Sequence, residues 1–415
     1  MINSEFTNKL YTNDNLFILN GLNSNFVDLI YLDPPFNSKR IYSAPVGSKA
    51  AGSSFKDMWT WQDVNEAYLD TLADKYSSLT KFISTVGKIH SKAMMAYLTY
   101  MSQRIIEMHR VLKDSGSLYL HCDPTASHYL KILLDEIFGK NNFRNELIWH
   151  YRRWTGKSKN FQKLHDIIFF YSKTNDYIFN EQYTDYTEGS INRKKGGKLY
   201  RFKNGYETLL VSDKEIDEKG VRENDVWHIP FIPPSSKERT GYPTQKPLAL
   251  LQRIIKASSN DGDIVLDPFC GCATTCVAAQ QLGRKWIGID IEKQAVGILV
   301  ERLSDDAGLF KDFINTTIIP QRTDIEIELP SVSVKEQLYK EQNGLCNACG
   351  TKFEFRNLEI DHIIPKSKGG GDYYENYQLL CGSCNKIKGD RPMEYLRLKI
   401  KSREEMLGNK IIFGE

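Results

Sequence analysis

The first apolar run of the chain, residues 26–32, reads FVDLIYL and stops at Asp33-Pro34-Pro35-Phe36. A short apolar run ended by two prolines reads as a buried parallel strand that delivers a loop at its C-terminal end. In open α/β sheets, ligands bind at those ends. Over 93–112 the period changes. Met94, Leu98, Met101, Ile105, Ile106, Met108 and Leu112 recur at helical spacing, and Ser115-Gly116 is expected to break the helix. A strand at 117–121 and a helix at 126–138 follow. The alternation resumes with a helix at 248–257, a strand at 264–266, a helix at 274–282, a strand at 286–289 and a helix over 293–303. Strands alternating with helices predict an α/β architecture. Residues 44–66, rich in Gly, Ser, Trp and Lys, read as a long loop, and 317–333 as a linker. No internal repeat or low-complexity tract is visible.

Length adds that 415 residues allow two or three domains. Hydrophobic residues at 41% and charged residues at 26% exclude wholesale disorder and a fibrous rod. The net charge is +3, from 55 Lys+Arg against 52 Asp+Glu, so any basic surface must be local. Residues 151–203 are such a place. They carry twelve Lys/Arg, beginning with Arg152 and Arg153, against five Asp/Glu, interleaved with aromatics. A basic stretch with aromatics fits nucleic-acid contact. The alternative is a solvated loop with buried strands such as 167–171. No run of 18 apolar residues exists, so no membrane partner is expected. The N-terminal residues lack a signal-peptide pattern, and the chain reads as cytoplasmic.

The segment 264–275, IVLDPFCGCATT, is a buried strand, a turn of small residues and a helix start. Gly271 lets backbone approach a ligand, and the helix N-terminus offers free N–H donors. About twenty residues on, the strand WIGID ends at Asp290, a spacing that suits an acid accepting ribose hydroxyls. Neither a Gly-rich phosphate cradle nor a phosphate-binding Lys is present. A nucleoside with an amino-acid tail fits better than a nucleotide.

Three motifs now give a resemblance. Asp267-Pro-Phe269-x-Gly271 resembles motif I of S-adenosylmethionine-dependent DNA amino-methyltransferases, and Asp33-Pro34-Pro35-Phe36 resembles their motif IV. Gly241-Tyr-Pro-Thr-Gln-Lys246-Pro247 resembles motif X of the beta class, whose order, IV then X then I, is also the order here. The resemblance covers about residues 10–305. It implies a Rossmann-like methyltransferase domain over 1–315, with a target-recognition region at 150–240, acting on double-stranded DNA. Asp33 and the Pro34 carbonyl would accept hydrogen bonds from the amine, Pro35 would offer no competing N–H, and Phe36 would stack on a base taken out of the duplex. Asp267, Phe269, Gly271, Thr274, Asp290 and Lys246 would bind S-adenosylmethionine, with Lys246 near its carboxylate. Asp-Pro-Pro-Phe resembles the adenine-N6 version. Ala273 departs from the family's second glycine. Alanine disfavours positive φ, which would weaken cofactor binding without abolishing it.

Of eight cysteines, four form two Cys-x-x-Cys pairs, Cys346/Cys349 and Cys381/Cys384, 31 residues apart. Four thiolates can close a structural zinc site in a small domain. Between and after the pairs lie Asp361-His362-Ile-Ile-Pro365, Asn376 and Asn385. This set resembles the HNH endonuclease domain, a hairpin and helix around one divalent metal. A linker at 316–334 and an HNH domain at 335–415 follow. The resemblance gives His362 the role of general base and Asp361 and Asn385 that of holding Mg²⁺ or a similar ion. Asn376 would orient His362 or its loop, and Lys388 and Arg391 would contact phosphate. The last position is often His in that family and is Asn385 here.

Together the two halves suggest restriction and modification on one chain. Two alternatives stand: a methyltransferase whose HNH-like module only binds DNA, and a nuclease dependent on methylated DNA. Monomer and homodimer are both left open.

Overall fold

The computed structural model describes residues 6–37, 40–45, 47–51, 54–57, 72, 76–152, 159–185, 200–203, 206–209, 220–292, 294–305, 314–324, 332–368, 370–372, 374–393, 395–397 and 399–400. In chain order the first elements are β1 (Lys9–Thr12), α1 (Asn15–Gly21), β2 (Val27–Leu32), β3 (Arg40–Ser43), β4 (Ser54–Asp57), α2 (Ser77–Ile89), α3 (Lys92–Val111), β5 (Leu112–Cys122) and α4 (Ser127–Phe138). Then come β6 (Phe143–His150), β7 (His165–Ser172), β8 (Tyr183–Thr184), β9 (Tyr200–Lys203), β10 (Tyr206–Leu209), β11 (Val221–Arg222) and β12 (Val226–His228). The sheet is completed by α5 (Leu248–Ser258), β13 (Ile264–Asp267), α6 (Thr274–Gln281), β14 (Lys285–Asp290), α7 (Gln294–Asp305) and β15 (Ile314–Thr316). A separate unit holds α8 (Val332–Glu341), β16 (Leu358–His362), β17 (Tyr377–Cys381) and α9 (Gly382–Lys388).

Among the described residues, nine strands form one sheet in the order β12-β6-β7-β5-β2-β13-β14-β1-β15. Only β7 runs against the others. Every residue of β2 and β13 is buried, which is why both read as mainly apolar runs. One face packs against α1, α2, α3 and α4, the other against α5 and α6. No described helix is long and apolar enough to cross a membrane.

β2 and β13 are neighbours in space yet far apart in sequence. From β2 the chain winds to β5 on one side; from β13 it winds to β14 on the other. The crevice between them is the switch point where such sheets bind ligands.

Local chemistry sets the helix starts. Asp14 accepts the Leu16 N–H at 2.8 Å at the start of α1, and Ser91 accepts the Met94 N–H at 3.1 Å at the start of α3. Arg104 of α3 donates to Asn15 at 2.6 Å and to Asp14 at 2.8 Å, and Asn15 donates to the Pro268 carbonyl at 2.8 Å. These bonds tie α1 to the loop after β13.

Three details differ from the sequence reading. The helix over 92–111 ends before Ser115-Gly116, because Leu112 is already extended and pairs with Val27. Part of the expected loop at 44–66 is a strand, β4, paired with β3; 58–66 lie outside the described residues. Of the segment read as a linker, Thr316 closes β15, which pairs with β1, and Asn23 and Ser24 bond Thr323 and Asp324. Residues 325–331 lie outside the described set.

Candidate functional site

A cavity of about 510 Å³ opens at the C-terminal ends of β2, β13 and β14. Its lining includes Asp33, Pro34, Pro35, Phe36, Lys246, Asp267, Phe269, Gly271, Thr274 and Asp290. The structure thus brings together every residue that the sequence placed in the amine-acceptor and cofactor sets. Asp33 follows the last residue of β2. One of its oxygens pairs with the Lys246 ammonium, and Oδ1 is buried without a hydrogen-bond partner. Lys246, expected at a cofactor carboxylate, pairs with Asp33 here.

The turn after β13 is built on carboxylates. Asp267 accepts the Phe269 N–H at 3.0 Å and the Thr275 hydroxyl. Burial pushes its pKa up to about 7. Asp290 accepts the Gly271 N–H at 2.7 Å and the Glu292 N–H at 2.8 Å. Burial pushes it up to about 6, against the pull of those N–H groups. Gly271 has φ +50°, and a Cβ there would lie 2.9 Å from the Tyr242 ring. Ala273 adopts φ +57° and ψ +32°, the left-handed conformation alanine disfavours by roughly 1–2 kcal/mol. Its N–H bonds the Cys270 carbonyl at 2.6 Å and its side chain is fully buried, so the surroundings impose the strain. Thr274, the first residue of α6, accepts from Arg302 at 2.8 Å.

Behind Phe36 lies a buried network. His121 of β5 is fully buried. Its Nδ1 meets the Tyr31 hydroxyl at 2.9 Å and its Nε2 meets Asp166 at 3.2 Å. Asp166 also accepts from the Tyr151 hydroxyl at 3.2 Å. The imidazole stacks on Phe36, with centroids 6.0 Å apart and planes 27° apart.

In the C-terminal unit, the sulfurs of Cys346, Cys349, Cys381 and Cys384 all lie within 4.8 Å of one another. That closeness and four thiol donors fit a tetrahedral Zn²⁺. The Cys381 N–H points at the Cys346 sulfur and the Cys384 N–H at the Cys381 sulfur, at 3.3 and 3.5 Å. β16 and β17 form an antiparallel hairpin followed directly by α9. Asn376 accepts the Ile364 N–H and donates to the Ile364 and Gly371 carbonyls, so it holds the loop after His362. His362 Nε2 meets Asp372 at 2.8 Å. Asn385 donates to Glu359 at 2.6 Å.

A model of the family described as DNA methylase matches residues 27–301, and one described as HNH endonuclease matches residues 346–391. The chain belongs to the N6/N4 DNA methylase family and carries a C-terminal HNH domain. It is 29% identical over 391 residues to the type II methyltransferase M.EcaI of Enterobacter cloacae, covering 81% of this chain and 78% of that one. It is 32% identical over 212 residues to the type II methyltransferase M.HpaI of Haemophilus parainfluenzae, covering 51% and 60%. It is 29% identical over 213 residues to the DNA adenine methyltransferase YhdJ of Escherichia coli K12, covering 50% and 67%.

One reading of this methylase needs correction. Lys388, expected on DNA phosphate, is fully buried and turned inward. It bonds Asp361 at 3.0 and 3.2 Å and the His362 carbonyl at 2.8 Å. A lysine placed for phosphate would have its ammonium in water; here the buried Asp361 carboxylate holds it. Arg391 is exposed and stacks over Tyr395 at 4.3 Å. Arg152 is exposed just past β6, and Arg153 lies outside the described residues. Sequence reasoning missed Tyr31, His121, Asp166 and Asp372. The first two sit in apolar strand runs that read as core. The aspartates counted only as charges, although Asp166 heads the apolar run of β7.

Proposed function

We propose that the methylase moves a methyl group from S-adenosylmethionine to an exocyclic amine of DNA, adenine N6, and that the HNH domain cuts DNA lacking that mark. One observation carries the first half. The cavity joins the Asp33–Phe36 loop to the 267–275 turn and Asp290, and inside it one Asp33 oxygen is buried without a partner. An unpaired buried carboxylate oxygen is costly unless a donor arrives, and an amine is such a donor. The Pro34 carbonyl offers a second acceptor, and Phe36 offers a ring for the base. When bound, S-adenosylmethionine supplies the electrophilic methyl. Gly271 and the turn around it admit a ligand close to backbone, and Asp290 stands at the strand end that suits ribose hydroxyls. Lys246 would hold the cofactor's carboxylate, which would leave Asp33 free for the amine. Catalysis is then mainly positioning for in-line transfer. Adenine is favoured by the Asp-Pro-Pro-Phe spelling and by similarity to an adenine methyltransferase.

A second reading of the HNH domain, DNA binding without cutting, is favoured by the Asp361–Lys388 pair. Both Asp361 oxygens are taken, by Lys388 and Gln378, and its side chain is 9% exposed. As the residues stand, a divalent ion at Asp361 would meet an ammonium in a poorly hydrated place. With Lys388 in place Asp361 does not fit the ion, so cutting requires that this pair open when DNA and the ion arrive.

The test uses DNA from a host without amino-methylation, with Mg²⁺ or Mn²⁺ and with S-adenosylmethionine or its demethylated product. Half the DNA is first modified by the protein in EDTA. Cutting of unmodified DNA alone is the expected result. Cutting of modified DNA alone would establish a modification-dependent nuclease instead. Methyl transfer without cutting in either metal would leave the domain as a DNA-binding unit, and no methyl transfer would overturn the first half.

A further inference from the structure

Asp33 and Phe36 sit on a loop, and a loop does not aim a ring by itself. What stands behind it is a chain of buried polar groups crossing three strands. Tyr31 is two residues before Asp33 on β2 and lines the cavity. His121 sits on β5, whose central part pairs with β2. Asp166 is the second residue of β7 and lies in register with Trp149 of β6, one residue before the start of the recognition segment.

Burial, together with the nearby charges of Asp33, Asp267 and Asp166, pushes the pKa of Tyr31 up, and its hydroxyl shares a hydrogen bond with Nδ1 of His121. Nε2, on the other side of the ring, faces the Asp166 carboxylate. Burial pushes the pKa of Asp166 up, but the hydrogen bond to His121, helped by the Lys246 ammonium and the Tyr151 hydroxyl, outweighs it and holds the carboxyl below its usual range. Both ring nitrogens are thus satisfied inside the protein, and the imidazole has one orientation. Its face lies against Phe36. Its edge meets the Trp149 ring in a T-shaped contact at 5.5 Å. Tyr151, inside the basic stretch, holds the far oxygen of Asp166.

We propose that His121 is a positioning residue for methyl transfer: held by Tyr31 and Asp166, it backs the Phe36 ring on which the extruded base stacks, and it ties that ring to the start of the target-recognition segment. The inference rests on the reading of Asp33–Phe36 as the methyl-transfer loop. A fully satisfied buried polar network is rigid, and a catalytic loop without such support loses geometry. A misplacement of about 1 Å can cost on the order of 100-fold in rate. The residues of the 267–275 turn begin at the end of β13 and make none of the hydrogen bonds of this network.

The experiment compares the full-length protein with Tyr31→Phe, Asp166→Asn, His121→Ala and His121→Gln. Three readouts are taken: methyl transfer to unmethylated DNA, S-adenosylmethionine affinity by calorimetry, and fluorescence of 2-aminopurine at the target position. Expected are a 10- to 100-fold fall in kcat for Tyr31→Phe, Asp166→Asn and His121→Ala, loss of the 2-aminopurine signal, and cofactor affinity within about 2-fold of the parent. His121→Gln, which keeps an amide able to bond one partner, should recover part of both. If His121→Ala does not fold, Tyr31→Phe, which removes one oxygen atom, carries the comparison. An unchanged 2-aminopurine signal with unchanged kcat in folded variants would overturn the inference. So would a parallel loss of cofactor affinity, which marks a merely structural role. A parent protein without methyl transfer would instead remove the reading beneath it.

Discussion

At the scale of single residues, the methylase cavity is a set of carboxylates whose environments differ. Asp33 has an ammonium on one oxygen and nothing on the other. Asp290 is bonded to backbone N–H groups, and Asp267 is fully buried with a hydroxyl and one N–H. Burial raises Asp267 to about 7 and Asp290 to about 6, from 3.8. The folded chain therefore holds protons that the unfolded chain has lost between about pH 4 and 7, and stability falls as pH rises through that window. The cofactor-free protein should melt at a higher temperature at pH 5 than at pH 8. Asp267→Asn, neutral throughout, should show a smaller drop. Thermal melts of both proteins at the two pH values check this; parallel curves would show that Asp267 is ionised in the fold across the range.

At the scale of elements, the strand–turn–helix unit of β13 and α6 concentrates strain where ligand contact is expected. Gly271 and Ala273 both have positive φ, two residues apart. Gly271 is required twice, by its backbone conformation and by the Tyr242 ring 2.9 Å from where a Cβ would stand. Gly271→Ala should lower stability by about 1–2 kcal/mol from the conformation alone. It should also weaken S-adenosylmethionine binding by on the order of 10-fold as Tyr242 moves. Denaturant unfolding and calorimetry test the two effects separately, and an unaltered affinity would show that Tyr242 has room to yield.

At the scale of the whole molecule, the described residues bury a large core in the sheet domain and a small one in the HNH unit. The sheet and its helices bury one pair of apolar layers, and the HNH unit buries a small cluster around β16, β17 and its cysteines. In the small unit the Lys388–Asp361 pair is buried on both sides, with side chains 0% and 9% exposed. Removing one partner of such a pair costs about 3–5 kcal/mol, because the other charge is stranded. Lys388→Ala should therefore destabilise the HNH unit by roughly that amount, measured as earlier proteolysis of residues 332–400 in the full chain. Methyl transfer should remain. Were Lys388 a phosphate contact, protease resistance would persist and DNA affinity would fall.

Much of this was legible in order along the chain. β2 and β13 announced themselves as apolar runs because parallel strands covered on both faces need no polar side. Asp33–Phe36, Asp267–Gly271, Asp290 and the four cysteines stood out because each is a short pattern whose chemistry depends on neighbours in sequence. β6 did not, since FRNELIWH mixes exposed and buried positions without a clean period. β1 is four residues long and offered too little pattern to read. The tertiary structure alone decided the rest. Tyr31, His121 and Asp166 lie 90 and 45 residues apart, and only strand pairing makes them one network. Lys388 looked like a surface cation until the hairpin folded Asp361 against it. Sequence determines which groups are available and what local turns they can make. Which polar group meets which, and whether water reaches them, is set by long-range packing, and that decided the partner of His121 and the burial of Lys388.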